Sequence, residues 1–200
     1  MNEKARMKDE VGCVRDDNTS ISGNLRKIIL IGSGGAGKST LAVELGRLLD
    51  LPVIHLDALF WQPGWQEMPR DEWNLLLGDL VKQDAWVMDG NYGGSMNIRL
   101  AACDTIIFLN FSRWICMYRL MKRVARHYGR TRPDLAEGCP EQLPDWPFIQ
   151  WIWTFSSRKA PGILEKLRAY EGEKTVVILR SPAEVKRFLA SLEGMSDTSL

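Results

Sequence analysis

Apolar positions along the chain fall into two alternating patterns. Short runs such as Lys27–Ile31 and Thr105–Leu109 are apolar almost without interruption, the pattern of strands covered on both faces. Longer stretches carry apolar residues at helical spacing. Lys38–Leu49 aligns Leu41, Leu45, Leu48 and Leu49, and Arg70–Lys82, after Pro69, aligns Trp73, Leu76, Leu77 and Leu80. Five strands are predicted, over Lys27–Ile31, Pro52–Leu56, Trp86–Met88, Thr105–Leu109 and Thr175–Leu179. Ser112 is placed to cap a helix running to about His127. Phe148–Tyr170 reads as helical with a break or kink at Pro161. Ser181-Pro182 is a cap followed by proline in the first turn, so a last helix runs to about Leu192. Strands separated by helices predict an α/β fold whose parallel sheet is covered on both faces. Residues 1–24 and 194–200 are polar and lack a clear period, and they read as mobile tails around one domain over residues 25–193.

The first predicted strand runs into Gly32-Ser33-Gly34-Gly35-Ala36-Gly37-Lys38-Ser39, which fits G-x-x-x-x-G-K-[ST] at every fixed position. The following helix supplies the context that the pattern needs. Polyphosphate requires several N–H donors converging on it. Glycines let the backbone take positive φ and approach the oxygens without a Cβ in the way. A helix N-terminus adds unpaired N–H groups and partial positive charge. In this reading Lys38 supplies a point charge for the β- and γ-phosphates. Ser39 ligates Mg²⁺ and Thr40 bonds to the α-phosphate.

Composition narrows the class. At 200 residues the chain suits one domain. Its 26 Lys and Arg against 25 Asp and Glu give a net charge of +1, which excludes a protein that coats DNA by bulk charge. No apolar run approaches the ~18 residues of a membrane span. The four cysteines, Cys13, Cys103, Cys116 and Cys139, form no metal spacing and read as reduced thiols of a cytoplasmic protein.

A guanine-reading N-K-x-D motif is absent, and a compact chain with one long insertion suggests a small phosphotransferase. Asp57 and Asp89 fall just past the second and third predicted strands, where ligands of parallel sheets collect. One can hold a water of the Mg²⁺ shell while the other orients or deprotonates an acceptor hydroxyl; the bland alternative is a turn-closing aspartate. Cations crowd between Ser112 and Arg132 with no acid among them, and Arg119, Arg123 and Arg126 share a helical face. Arg119 and Arg123 are the candidates for neutralising the moving phosphoryl, against the alternative of a solvated face. Gly129–Pro147 is rich in Pro and Gly and reads as a lid, about residues 128–148. Arg158 and Lys159 are weaker candidates for completing the clamp. Trp61 and Trp65 around Pro63-Gly64 form an aromatic loop suited to an acceptor-site wall. His55 reads as a packed histidine.

Together, Gly32–Thr40, His55-Leu56-Asp57, Asp89-Gly90-Asn91-Tyr92, Gly129–Asp134 and Trp151-Ile152-Trp153 resemble bacterial adenylate-kinase-related P-loop proteins, the "topology modulation protein" group. The resemblance covers about Arg26–Leu192. It implies a three-layer P-loop NTPase fold with a five-stranded parallel sheet, an acceptor-site insertion after the second strand and a lid after the fourth. It also implies ATP and Mg²⁺, with Arg119 and Arg123 on the phosphates. Where adenylate kinases carry Phe-Pro-Arg after the Asp-Gly pair, this chain has Asn91-Tyr92-Gly93, and Arg99 is the nearest substitute for the arginine that grips an acceptor phosphate. Asp57 is similar to the arrangement in shikimate- and gluconate-type kinases. The expectation is phosphoryl transfer from ATP to a small acceptor: a nucleoside monophosphate, a nucleoside or a hydroxylated metabolite. The alternative is a nucleotide-switched DNA-binding or regulatory ATPase, which neither a helix-turn-helix nor a zinc motif supports.

Overall fold

The computed structural model describes residues 25–196. The expectation for residues 1–24, and that for 197–200, lie outside them. In chain order the elements are β1 (Lys27–Gly32), α1 (Lys38–Leu49), β2 (Val53–His55), α2 (Leu56–Phe60), β3 (Trp61–Gln62), β4 (Gln66–Glu67) and α3 (Arg70–Leu80). They continue with β5 (Trp86–Asp89), a short 3-10 turn (Gly93–Ser95), α4 (Met96–Ala102), β6 (Thr105–Leu109) and α5 (Arg113–His127). The last are α6 (Trp146–Arg158), α7 (Ala160–Arg168), β7 (Thr175–Leu179) and α8 (Pro182–Ser196).

Five strands form one parallel sheet in the order β2-β5-β1-β6-β7. The alternation along β1 explains its two covered faces. Ile28 and Leu30 join Val87, Ile107 and Leu109 under α1, α5 and α8. Ile29 and Ile31 join Trp86, Met88, Ile106 and Phe108 under α4, α6 and α7. Each such fully buried side chain contributes about 1.5–3 kcal/mol, so the central strands anchor the layers. A smaller cluster of Leu56, Trp73 and Leu77 seats α3 beside the sheet edge.

The predicted caps are present. Ser112 Oγ accepts from the Ile115 N–H. At Ser181 the Glu184 N–H donates to Oγ, while the Ser181 hydroxyl and the Arg180 N–H donate to the two Glu184 carboxylate oxygens. The Phe148–Tyr170 stretch breaks one residue before Ala160, with Pro161 in the first turn of α7, where its missing N–H is harmless. Two expectations are corrected. The last helix does not stop near Leu192 but runs to Ser196, so residues 194–196 are helical. The second strand ends at His55, because Leu56 turns inward and opens α2. The β3–β4 hairpin and α4 carry too few periodic positions to stand out in the sequence.

Candidate active site

The β1–α1 connection is shaped for an anion. Gly35 and Gly37 have φ of +74° and +97°, where side chains are strained. A Cβ on Gly35 would also collide with the Cys116 carbonyl oxygen of α5. The loop is thus packed against the basic helix with no room for a side chain. Among the described residues, the N–H groups of Gly34, Gly35 and Gly37 have no hydrogen-bond partner, and α1 begins at Lys38. Such a cradle of free donors fits phosphate oxygens.

Lys38 folds over this cradle, its Nζ donating to the Gly32 and Ser33 carbonyls at 3.1 Å each. Burial pushes the ammonium pKa down, while Asp57 and Asp89 hold it up. Asp89, the last residue of β5, and Asp57, two residues past β2 in α2, are both close enough to Lys38 to act on its charge. Thr40 is exposed in the first turn of α1, and Ala36 is buried.

The two aspartates differ in what they already hold. Asp89 is occupied on both oxygens: Ser39 Oγ donates to Oδ2 at 2.6 Å, and His55 Nδ1 lies 2.7 Å from Oδ1. The hydrogen bond to Asp89 raises the His55 pKa above its ordinary value. Asp57 accepts from the Tyr92 hydroxyl through Oδ1 at 2.7 Å. Its Oδ2 has no hydrogen-bond partner among the described residues. Tyr92 is pushed up in pKa by burial and by the nearby Asp57 charge, so the phenol stays a donor.

Mg²⁺ favours a few oxygen ligands and keeps several waters. The Ser39 hydroxyl beside the Asp89 carboxylate fits that requirement. No cluster of three or more acidic, His or Cys ligands exists among the described residues, so such an ion would share its shell with phosphate and water.

Arg119 and Arg123 reach the site from α5 by different routes. Arg119 NH1 donates to the Ala36 carbonyl at 2.8 Å, and its guanidinium lies 5.3 Å from the Phe111 ring. Arg123 is held by Glu141, 3.0 Å from NH2. Arg132 Nε lies 2.7 Å from the other Glu141 oxygen, and Arg132 NH1 is 3.0 Å from Asp134. Glu141 is buried. This network fastens the segment between α5 and α6 onto α5. The same segment touches the β3–β4 hairpin. The Gly64 N–H donates to Gly138 O, and Trp65 Nε1 to Pro140 O.

Three residues outside the sequence-stated core of the site matter here. His55, expected to be simply packed, contacts the Asp89 carboxylate. It ends a strand at the same sheet edge that singled out the aspartates, and that position was the available signal. Asn91 clamps the loop entrance, its side chain accepting from the Gly32 N–H and donating to the Gly32 carbonyl. Glu141 had no local signature. Arg99 is corrected: it is fully buried and donates to the carbonyls of Gly90, Asn91 and Tyr92. Burial lowers its pKa to about 10. It braces the turn that carries Asn91 and Tyr92; its Nε has no hydrogen-bond partner, but the side chain is sealed from solvent and so presents no nitrogen to an acceptor phosphate. Arg158 and Lys159 are exposed at the α6–α7 junction.

No protein-family model matches the chain, and no curated protein matches it. Among solved structures, a shikimate kinase from Acinetobacter baumannii in complex with shikimate matches with a TM-score of 0.56 at 16% identity, covering 88% of this chain and 96% of that one. The chain therefore shares the α/β fold of that shikimate kinase, with the five-stranded parallel sheet expected. A gluconokinase from Sinorhizobium meliloti 1021 matches with a TM-score of 0.48 at 18% identity, over 88% of this chain and 98% of that one. A deoxyadenosine kinase from M. mycoides matches at 0.44 and 14%, over 86% and 98%. No described helix is long and apolar enough to cross a membrane.

Proposed function

We propose that this chain is a Mg²⁺-dependent phosphotransferase that moves the γ-phosphoryl of ATP to the hydroxyl of a small acceptor. The observation that carries the reading is Lys38, set over a cradle of free N–H donors and within the field of two carboxylates at the strand ends. Lys38 and the loop N–H groups hold the β- and γ-phosphates. Ser39 and Asp89 fit a Mg²⁺ ion, which when bound would neutralise phosphate charge. Arg119, with donors beyond the one given to Ala36, and Arg123 face the charge that spreads over the transferring group.

The two carboxylates divide the remaining work. Asp89 is occupied by Ser39 and His55, so it belongs to the phosphate side. Asp57 keeps Oδ2 for the acceptor. The acceptor oxygen bonds to the γ-phosphorus as the bond to the β–γ bridging oxygen breaks. ADP leaves with that electron pair, and the acceptor proton passes to Asp57. The 129–145 segment, fastened by Glu141, excludes water from the transfer. Membership of the topology modulation group and an adenylate-kinase-like kinship are supported by the motif set, and a cytoplasmic place by cysteine usage.

The deciding experiment is acceptor-stimulated ADP formation by the wild type and by Lys38→Ala. The variant is expected to lose turnover while remaining folded by circular dichroism. A variant that keeps most of its activity removes Lys38 from the mechanism and overturns the reading.

A further inference from the structure

Residues 56–102 carry Asp57 and Asp89 and follow β2, at the sheet edge where Asp89 pairs with His55. They contain three cations, Arg70, Lys82 and Arg99, against seven carboxylates. Each cation is accounted for. Lys82 pairs with Asp79 at the surface, at 2.8 Å. Arg70 is exposed at the start of α3. Arg99 is buried, with NH1 and NH2 on three backbone carbonyls. On the opposite side, Arg123 and Arg132 share Glu141, and in the phosphotransfer reading Arg123 serves the phosphates of ATP and not the acceptor. This part of the site therefore offers an acceptor no uncommitted, sheltered positive charge.

It offers aromatic surface instead. From Asp57 the contacts run through Tyr92, whose ring lies 4.6 Å from Phe60. Phe60 lies 5.2 Å from Trp61, and Trp61 lies 5.4 Å from Trp65. Trp65 Nε1 donates to the Pro140 carbonyl of the 129–145 segment. A continuous aromatic wall thus joins the proposed proton acceptor to the covering segment.

We infer that the acceptor is an uncharged, hydroxyl-bearing molecule with a flat body, of the nucleoside class, and not a monophosphate or a carboxylate. The inference rests on the phosphotransfer reading of this same site. An anionic acceptor would set its charge beside Asp57 and Asp89, where Lys38 is already committed to the β- and γ-phosphates, which is unfavourable. A neutral base instead stacks on aromatic rings. Its sugar supplies a hydroxyl to Asp57 Oδ2, and that hydroxyl receives the phosphoryl group of ATP as described above.

The test is calorimetric binding to the full chain, with Mg²⁺ and a non-hydrolysable ATP analogue filling the nucleotide site. The ligands are the common nucleosides, their 5′-monophosphates, glucose and gluconate. At least one nucleoside is expected to bind about tenfold or more tightly than its own monophosphate and than glucose. Trp61→Ala is expected to weaken that nucleoside about tenfold, and Trp61→Phe to restore most of the loss. Equal or tighter binding of a monophosphate or gluconate overturns the inference, as does glucose matching the nucleosides, or no nucleoside binding at millimolar concentration. ADP formation is scored separately. A nucleoside that binds selectively but is never phosphorylated sinks the phosphotransfer reading and with it the acceptor role, and keeps only the ligand class of the site. Phosphorylation of monophosphates alone keeps the phosphotransfer reading and overturns this inference.

Discussion

The two sides of the cleft use arginine in opposite ways. On α5 and the segment after it, arginines are engaged by side-chain or loop partners: the Ala36 carbonyl for Arg119, and the buried Glu141 carboxylate for Arg123 and Arg132. These are contacts that a phosphate oxygen can take over. On the acceptor side Arg99 is sealed inside, holding a backbone turn. The same residue type is therefore functional on one side and architectural on the other. Charge counts alone do not distinguish them; the identity and burial of the partner do. The contrast also extends to the carboxylates, since Asp89 is saturated by Ser39 and His55 while Asp57 keeps one oxygen free.

The sharpest break in that comparison is Asp57→Asn. An amide is nearly isosteric but cannot take the acceptor proton. The expected loss in kcat is about 10²- to 10⁴-fold, with nucleotide affinity unchanged because Asp57 stands on the acceptor side. Steady-state kinetics beside ATP-analogue binding separates the two. A large loss of nucleotide affinity with unchanged kcat would move Asp57 to the phosphate side.

Next comes Arg99→Met, which tests whether the acceptor-side arginine is architectural. It leaves the carbonyls of Gly90, Asn91 and Tyr92 without their donor, an expected destabilisation of about 3 kcal/mol. Lys82→Met, at an exposed pair, is expected to change stability by less than about 0.5 kcal/mol. Urea unfolding of both variants measures the gap, and equal stabilities would show that Arg99 does not brace the turn.

The parts of the site visible in the sequence are those written in consecutive residues. The phosphate loop, its strand and its helix carry local rules for turn, cap and burial, and Ser39 and Lys38 follow from their spacing. The sheet was legible because four of the five short apolar runs are followed by helical periodicity; Trp86–Met88 is followed by a turn. What stayed hidden depends on register and on distant pairing. His55 meets Asp89 because β2 and β5 pair those two residues directly, 34 positions apart. Glu141 finds Arg123 across a loop of irregular backbone. Arg99 looks like any helical arginine until α4 is seen to turn it beneath the 90–92 carbonyls. The β3–β4 hairpin, with two residues in each strand, is too short for a period of two to register.

A smaller effect is expected from Glu141→Gln, which probes the exchangeable side. The amide keeps the shape but removes the charge that Arg123 and Arg132 share, while the burial and mutual repulsion that already lower the Arg123 pKa remain. A destabilisation of about 1–2 kcal/mol is expected, with faster proteolysis within residues 129–145 in the absence of nucleotide. Nucleotide is expected to restore protection, because phosphate oxygens replace the missing carboxylate. Proteolysis that nucleotide does not slow would show that the arginines on this side are fixed in place as Arg99 is.

The smallest expected effect concerns the saturated carboxylate. The folded-state pKa of His55 is raised above 6.5, first by its hydrogen bond to Asp89 and opposed by burial. A histidine with a raised folded pKa stabilises the fold fully below its unfolded pKa and loses that contribution as pH rises through the folded value. His55→Gln removes the titration and keeps a donor. The Tm of the wild type is therefore expected to exceed that of His55→Gln by more at pH 6 than at pH 9, in metal-free buffer. The effect is modest because His55 is only half-buried and solvent screens the pair. A Tm difference that is constant across this range, or larger at pH 9, would mean that the Asp89–His55 contact carries no net charge pairing. Asp89 would then have charge to spare, and its contrast with Asp57 would rest on hydrogen bonding alone.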